Sequence, residues 1–219
     1  NRNAKYVTER DFIPIGTVAL SSYVVVTANS TNAPQNFQEL LTSLKNKGGS
    51  YGIPGIGSTT HLAAEVVLRQ AGVKATPVPY PGSSQMLTDV SSGQVGFGVN
   101  VVGATLPLVK GGKLRALAVT SAARVPTLPN VPSMAEVGLA GMNLIGWWGW
   151  VAPIGTPPEA VKKLSDALIK ALNTPDVKAK LASQEVEPFP LSSSAYAALI
   201  RNETPLWTDL VRENKLTTD

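Results

Sequence analysis

The strongest candidate for binding chemistry is a glycine-rich turn that leads into a helix, with the sequence GIPGIGSTTH at positions 52–61. Glycine lets the backbone approach a ligand closely, and the first turn of a helix offers unpaired N–H groups with a partial positive charge. A small carboxylate suits that chemistry. The hydroxyl side chains of the turn either bind the ligand or only cap the helix. The predicted ligand-binding residues of this turn are Gly57, Ser58, Thr59, Thr60 and His61.

Other chemistries fit this turn less well. It lacks the Gly-Lys-Ser/Thr ending of a nucleotide-binding loop and the G-x-G-x-x-G spacing of a dinucleotide site. His61 is the only histidine, and there is no cysteine, so we predict neither a metal site nor a cofactor. Catalysis by His61 would need a partner that the sequence does not indicate, and a packing role is the alternative.

Two further loops and one aromatic cluster complete the candidates. Tyr80, Gly82 and Ser83 belong to a second glycine turn before a second helix start, at a strand end where ligands of open α/β sheets bind. Asn100 closes an apolar strand, and it either contacts the ligand or satisfies a local turn. Trp148 lies in a tryptophan-rich segment, for which core packing is the alternative.

Runs of β-branched residues alternate with helical patterns along the chain, which predicts βαβ units and a mainly parallel sheet. We expect strands at 23–27, 50–53, 75–80, 95–100, 114–120 and 147–151. A helix that Gly48 and Gly49 end is predicted by apolar residues at i, i+3, i+4 and i+7, which are Phe37, Leu40, Leu41 and Leu44. The proline- and glycine-rich segment 124–142 indicates a crossover between lobes, with one short helix at 134–137. Thr156 is predicted to cap the next helix, which should bury Val161, Leu164, Leu168 and Leu172.

Composition excludes several classes of protein. The 219 residues are 43% hydrophobic and 16% charged, as in a folded globular chain. The net charge of +4 is spread over single Lys and Arg residues, so we expect no nucleic-acid partner. No apolar run reaches the roughly 18 residues that span a bilayer.

Six stretches together resemble a known family. They are DFIPIGTVA (11–19), GIGSTTHLAAE (55–65), VPYPGSSQMLTDVSSGQV (78–95), GKLRALAVTSAARVPTLPNVPSMAEVGL (112–139), WWGWVAPIGTPPEAVKKL (147–164) and RNETPLW (201–207). In this order they are similar to the solute-binding proteins of tripartite tricarboxylate transporters, also called Bug receptors. GKLRALAVTS followed by VP-x-x-AE-x-G is the most specific of them.

The resemblance implies a two-lobed periplasmic-binding-protein (Venus-flytrap) fold of the α/β class. Lobe 1 would comprise 1–20 and 146–219, with its N-terminal strands missing, and lobe 2 would comprise 21–145. The implied function is capture of a small carboxylate in an interlobe cleft and delivery to the permease subunits of the transporter. The protein would act as a monomer in the periplasm, without enzymatic activity.

The chain also departs from the family pattern. Members usually carry an aspartate where this chain has Asn100, so a ligand with an amino group is less favoured. The glycine-rich loop of the first lobe is absent, and we therefore expect these 219 residues alone to bind carboxylates weakly or not at all. A micromolar calorimetric affinity would contradict that expectation. Alternative functions are a clamshell sensor for a signalling partner and a small hydrolase or transferase using His61.

Overall fold

The computed structural model of the protein describes residues 5–213, which form two compact units. Unit 1 contains the chain up to Ser21 and again from Trp147 onward, and unit 2 contains Ser22–Gly146. The outermost residues of predicted lobe 1, 1–4 and 214–219, lie outside the described range. The chain passes from one unit to the other twice, after Ser21 and after Gly146.

Helices and strands alternate over most of the described chain, which confirms the α/β class. In chain order they are α1 (Thr8–Asp11), β1 (Phe12–Ala28), α2 (Phe37–Lys47), β2 (Ser50–Ile53), α3 (Thr59–Gln70), β3 (Thr76–Pro79), α4 (Ser83–Ser92), β4 (Phe97–Val101), α5 (Val102–Lys110), β5 (Leu114–Val119), β6 (Ile145–Pro153), α6 (Pro158–Leu172), α7 (Pro175–Ser183), β7 (Glu187–Pro188) and α8 (Ser193–Glu213). In the described part of the chain, no helix has both the length and the apolar character needed to cross a membrane.

The sheet of unit 2 has the strand order β3-β2-β4-β1-β5. β2 runs parallel to β3 and to β4, whereas β1 runs antiparallel to β4 and to β5. The sheet is therefore mixed, with the antiparallel pairs confined to β1. As a result β2, β3, β4 and β5 all point the same way, and their carboxyl ends share one edge of the sheet.

Helices cover both faces of this sheet. Successive side chains of β1 alternate between the faces: Tyr23 and Val25 join the core that α2 and α3 cover, and Val24 and Val26 join the core that α4 and α5 cover. All four are almost fully buried. A strand that is buried on both faces needs a continuous apolar run, which explains the sequence YVVVT.

Local signals explain the helix bounds of this unit. Asn36 caps α2 by accepting a hydrogen bond from the Glu39 amide, and Gly48 ends the helix with a positive φ of 66°. The apolar side chains of α2 at i, i+3, i+4 and i+7 are all buried. These features were readable in the sequence, and the predicted helix is confirmed.

Unit 1 has its own smaller core. Ile15 of β1 and Ala152 of β6 pack with Val161, Leu168 and Leu172 of α6. β6 and β7 both pair with β1, and Ala19 and Leu20 of β1 lie opposite β7.

Two expectations for α6 are wrong. Thr156 does not cap it, because its hydroxyl donates to the carbonyl oxygen of Pro153 and the helix begins at Pro158. Leu164 is 45% exposed, since the buried stripe is completed instead by Ser165, whose Oγ accepts from the Ser193 amide.

The expected helix at 134–137 and the expected crossover role of 124–142 are also wrong. Ser133 and Glu136 form the reciprocal bonds of a helix start, but the chain makes only one turn, because Gly138 adopts a φ of 97°. The segment belongs to unit 2, where Leu128 and Met134 are buried and the Met134 amide donates to Val119 of β5.

Candidate functional site

The carboxyl edge of the unit 2 sheet gathers three helix starts. β2, β3 and β4 are each followed, after a turn or directly, by α3, α4 and α5. Because these strands are parallel and adjacent, the three helix N-termini lie along one edge. Such an edge is where open α/β sheets bind ligands, and helix N-termini favour anions.

The turn between β2 and α3 is shaped by glycine and by the Ser58 side chain. Gly55 and Gly57 have φ angles of 128° and 74°, which glycine adopts readily and other residues rarely do. Ser58 Oγ accepts from the His61 amide at 3.2 Å and donates to the Gly55 carbonyl oxygen at 2.9 Å. Ser58 thus caps α3, which was one of the two roles considered for it.

Two amides of this turn, those of Gly57 and Ser58, are already hydrogen-bonded. The Gly57 amide donates to His61 Nδ1 at 3.0 Å, and the Ser58 amide donates to the Gly55 carbonyl oxygen at 3.3 Å. Among residues 5–213, the amides of Thr59 and Thr60 have no acceptor. Two adjacent N–H groups in the first turn of α3 therefore remain available.

His61 lies beneath this turn, not on its surface. The ring is 2% exposed, its Nδ1 is occupied by the Gly57 amide, and its Nε2 has no hydrogen-bond partner within the described chain. Burial lowers the pKa of the imidazole, and the nearby Glu65 carboxylate opposes that shift. The prediction that His61 contacts a ligand is not tested by this geometry.

Glu65 and Tyr51 are neighbours of His61 that the sequence analysis missed. Glu65 Oε1 lies 3.9 Å from His61 Nε2 and accepts a hydrogen bond from the Tyr51 hydroxyl. Burial, followed by that hydrogen bond, raises the pKa of Tyr51. The spacing of His61 and Glu65 at i, i+4 on one helix is the signal that could have indicated the pair.

The second predicted turn places Gly82 at the N-cap of α4, without a side-chain cap. No acceptor for the Ser83 amide occurs among the residues that the structure describes. The Tyr80 hydroxyl donates to Asp89 Oδ2 at 2.9 Å, so its hydrogen is already engaged.

Asn100 is not a turn residue but part of β4, and it is 1% exposed. Its Oδ1 accepts from the Val101 amide at 2.8 Å, while its Nδ2 finds no partner in the described part of the chain. A buried amide donor without an acceptor is costly, at about 1–3 kcal/mol. A ligand oxygen at the carboxyl end of β4 would remove that cost.

Topology therefore brings together nine of the ten predicted residues, from Gly57 to Asn100, along the carboxyl edge of unit 2. Trp148 lies in β6, in unit 1, with 46% of its surface exposed. Its neighbour Trp147 donates from Nε1 to Glu203 at 2.9 Å and packs edge-on against Tyr196. Trp147 thus has a packing role, whereas ligand contact by Trp148 stays a prediction.

A cavity of about 230 Å³ occurs elsewhere, in unit 1, between α1, β1, β6 and α8. It is lined by apolar side chains such as Phe12, Val151 and Ile200, with Glu9 and Arg201 at its wall. None of the predicted site residues lines it. Within residues 5–213 there is no cluster of three or more His, Cys, Asp or Glu side chains suited to a metal ion.

Comparison with known proteins agrees with the resemblance seen in the sequence. The model of a family described as "Tripartite tricarboxylate transporter family receptor" matches residues 1–216. A relative from Pseudomonas sp. (strain P51), "UPF0065 protein in tcbD-tcbE intergenic region", is 34% identical over 215 residues. The match covers 96% of this chain and 63% of the relative, so the chain spans less than two thirds of that protein's length.

Solved structures from Rhodopseudomonas palustris are also similar. "R. palustris Rpa4515 with adipate" has 30% sequence identity and a TM-score of 0.88, and the match covers 96% of this chain and 71% of that one. "MatC (Rpa3494) from Rhodopseudomonas palustris with bound malate" has 26% identity and a TM-score of 0.80, over 91% of this chain and 69% of that one.

Proposed function

Because the chain belongs to the tripartite tricarboxylate transporter receptor family, we propose that it captures a small carboxylate for a membrane transporter of that type. The carboxylate binds at the carboxyl edge of the unit 2 sheet. The observation that carries this proposal is the pair of adjacent amides of Thr59 and Thr60, which lack acceptors among the described residues. Both amides belong to the first turn of α3, where the helix dipole favours negative charge.

The two amides suit one carboxylate group. Hydrogen bonds from backbone N–H groups to a charged acceptor contribute roughly 1.5–3 kcal/mol each, more than bonds between neutral groups. The Thr59 side chain is exposed, so a ligand can approach this position from solvent. Thr60 is buried, and its hydroxyl lies 3.1 Å from Ser58 Oγ, so its amide, and not its side chain, is the expected donor.

A second group of donors along the same edge suits a second carboxylate. Asn100 Nδ2 is a buried donor that lacks an acceptor within residues 5–213, and the Ser83 amide is similarly unpaired. Neither position carries a negative charge, so a ligand amine finds no counter-ion there. A dicarboxylate is therefore the substrate class we propose, and the adipate and malate named for two similar structures support it.

The rest of the proposed function follows from the family. The bound carboxylate is delivered to the permease subunits of the transporter from the periplasm, and the receptor works as a monomer without catalysis. Similarity to a solved structure, "Structure of periplasmic binding protein BugD", supports the location.

Replacement of Thr59 tests directly whether its backbone amide binds the carboxylate. Thr59 is the first residue of α3, a position where proline is tolerated because it removes only an N–H that has no helical partner. Ser58 has the extended conformation that a following proline requires. Thr59→Pro should therefore keep the fold but weaken adipate or malate binding by about tenfold or more. Thr59→Ala keeps the amide and should change the affinity little.

The measurement is calorimetric titration of the natural full-length protein with adipate and with malate, after a thermal-shift screen of further dicarboxylates. Arg201→Met in the unit 1 cavity is the control, and we expect no change in affinity. Equal affinities of the wild type and Thr59→Pro would refute binding of the carboxylate by the Thr59 amide. A loss caused by Arg201→Met instead would move the site to unit 1.

A further inference from the structure

We propose that His61 is a positioning residue of the carboxylate site: its Nδ1 accepts from the Gly57 amide and so holds the turn before α3 in the shape that presents the Thr59 and Thr60 amides to a ligand. The inference rests on the proposed function, because it concerns the same site. It assigns to the histidine a role through the backbone and not through contact with the ligand.

The hydrogen bonds of the turn are reciprocal. The side chain of Ser58 accepts from the His61 amide, and the side chain of His61 accepts from the Gly57 amide. This resembles a capping box, in which the third helical residue reaches back to an amide before the helix, except that the amide here lies one residue earlier. Gly57 and Ser58, the last two residues of the turn, are thus both hydrogen-bonded to His61 in the first turn of α3.

The ring can accept at Nδ1 only when that nitrogen carries no proton. A neutral imidazole then has its proton on Nε2, and this nitrogen is buried without a hydrogen-bond partner in the described residues. The titratable groups that face the ring are Glu65 on α3, at 3.9 Å, and Tyr51 on β2. At 3.9 Å, Glu65 Oε1 is too far from Nε2 for a hydrogen bond, so Glu65 does not fix the ring from the other side.

Burial favours the neutral form that the contact needs. Burial lowers the pKa of His61, and the Glu65 carboxylate only partly offsets that effect. The neutral ring therefore stabilises the fold above the ordinary histidine pKa. This contribution to stability is lost as the pH falls through the lowered pKa of His61. Protonation at Nδ1 would also remove the acceptor of the Gly57 amide.

The Gly57 contact matters because the other hydrogen bonds of the turn involve Gly55 and Ser58 and leave the Gly57 amide unrestrained. Gly55 and Gly57 both have positive φ angles, and glycine backbones have many alternative conformations. Without the Nδ1 acceptor, ordering the turn would be part of the cost of binding, which lowers affinity. We expect the loss to be about tenfold for a ligand that uses the Thr59 and Thr60 amides.

Two variants separate positioning from packing. In His61→Asn the side-chain Oδ1 can take the place of Nδ1 as acceptor, whereas His61→Leu fills similar space without an acceptor. We expect His61→Asn to keep the protection of the Gly57 amide from hydrogen exchange, and an affinity for adipate or malate within about threefold of the wild type. His61→Leu should lose both.

Nuclear magnetic resonance of the full-length protein supplies a readout that does not depend on a ligand. His61 is the only histidine in this sequence, and its ring ¹⁵N shifts report which nitrogen carries the proton. We expect a proton on Nε2 at neutral pH, and a Gly57 amide shift that follows the titration of the ring. The titration of the wild-type protein tests the hydrogen bond between the Gly57 amide and His61 even if His61→Leu does not fold.

A proton on Nδ1 at neutral pH, or unchanged Gly57 protection in His61→Leu, would overturn the proposal. So would unchanged ligand affinity in His61→Leu. If neither dicarboxylate binds the wild type while the Gly57 and ring signals behave as expected, the proposed function fails, and the role of His61 is confined to the turn.

Discussion

Replacement of Ser58 by Ala and by Asp separates the role of this side chain in the fold from its position at the ligand site. Ser58 Oγ accepts from the His61 amide and donates to the Gly55 carbonyl oxygen. Ala removes both hydrogen bonds, together with the 3.1 Å contact to the Thr60 hydroxyl. Asp keeps the acceptor, because aspartate is as good an N-cap as serine, but it loses the donor and adds a negative charge.

The expected effects on stability follow from these bonds. Loss of an N-cap costs about 1 kcal/mol, and loss of one further hydrogen bond costs about 0.5–1 kcal/mol. Ser58→Ala should therefore lower the free energy of unfolding by about 1.5–2 kcal/mol. Ser58→Asp should lower it by only about 0.5–1 kcal/mol, since the cap remains.

The effects on ligand affinity should have the opposite order. In Ser58→Asp, a carboxylate held by the Thr59 and Thr60 amides would lie roughly 4 Å from the introduced negative charge, where like charges repel by about 1 kcal/mol in water and about 4 kcal/mol at a protein surface. Ser58→Asp should thus weaken dicarboxylate binding by roughly 5-fold to 1,000-fold. Ser58→Ala acts only through looser order of the turn, and we expect a smaller loss.

Urea unfolding followed by circular dichroism gives the stabilities, and calorimetric titration gives the affinities. The result that supports the site is the reversal: Ser58→Ala is the less stable variant, and Ser58→Asp is the weaker binder. If both assays rank the variants in the same order, the ligand does not bind at the start of α3.

Three further predictions concern single positions. Glu185 has a φ of 57°, so Glu185→Gly should raise the free energy of unfolding by about 0.5–1 kcal/mol in urea, whereas Glu185→Ala should not; equal values for the two would contradict this. Hydrogen bonding to Arg124 lowers the pKa of the Glu136 carboxyl to about 2, so its stabilising contribution holds above its ordinary pKa of 4.5 and is lost as the pH falls toward 2. In Arg124→Met, a pH titration by nuclear magnetic resonance should show that pKa raised, and an unchanged value would refute the pairing. Gly16→Ala should cost about 1–3 kcal/mol in thermal unfolding, because its Cβ would lie 2.7 Å from a backbone carbonyl oxygen. Gly82→Ala, with no atom within 4 Å of its Cβ, should cost only about 0.5 kcal/mol through the weaker N-cap of α4, and equal losses would count against this reasoning.

Much of the fold was readable from local pattern. The strand at Ser50–Ile53 and the helix that ends before Gly48 are confirmed, because apolar spacing and capping residues act within a few positions of the chain. The same kind of signal failed at Ser133, where a capping box forms but one following glycine prevents a helix. It also failed at Leu164, whose exposure depends on which neighbour packs against α6.

The candidate site also has features that the local sequence determined and features that depend on the tertiary structure. The sequence by itself determined that a glycine turn and a helix start occur at Gly57–Thr60, since glycine, serine and threonine act there through their own backbone and caps. Only the tertiary structure decided that the Gly57 amide is not available to a ligand, because its acceptor is the ring of His61. Only the tertiary structure buried Asn100, through the pairing of β4 with a strand about 75 residues earlier, and contacts over such distances leave no local pattern in a sequence.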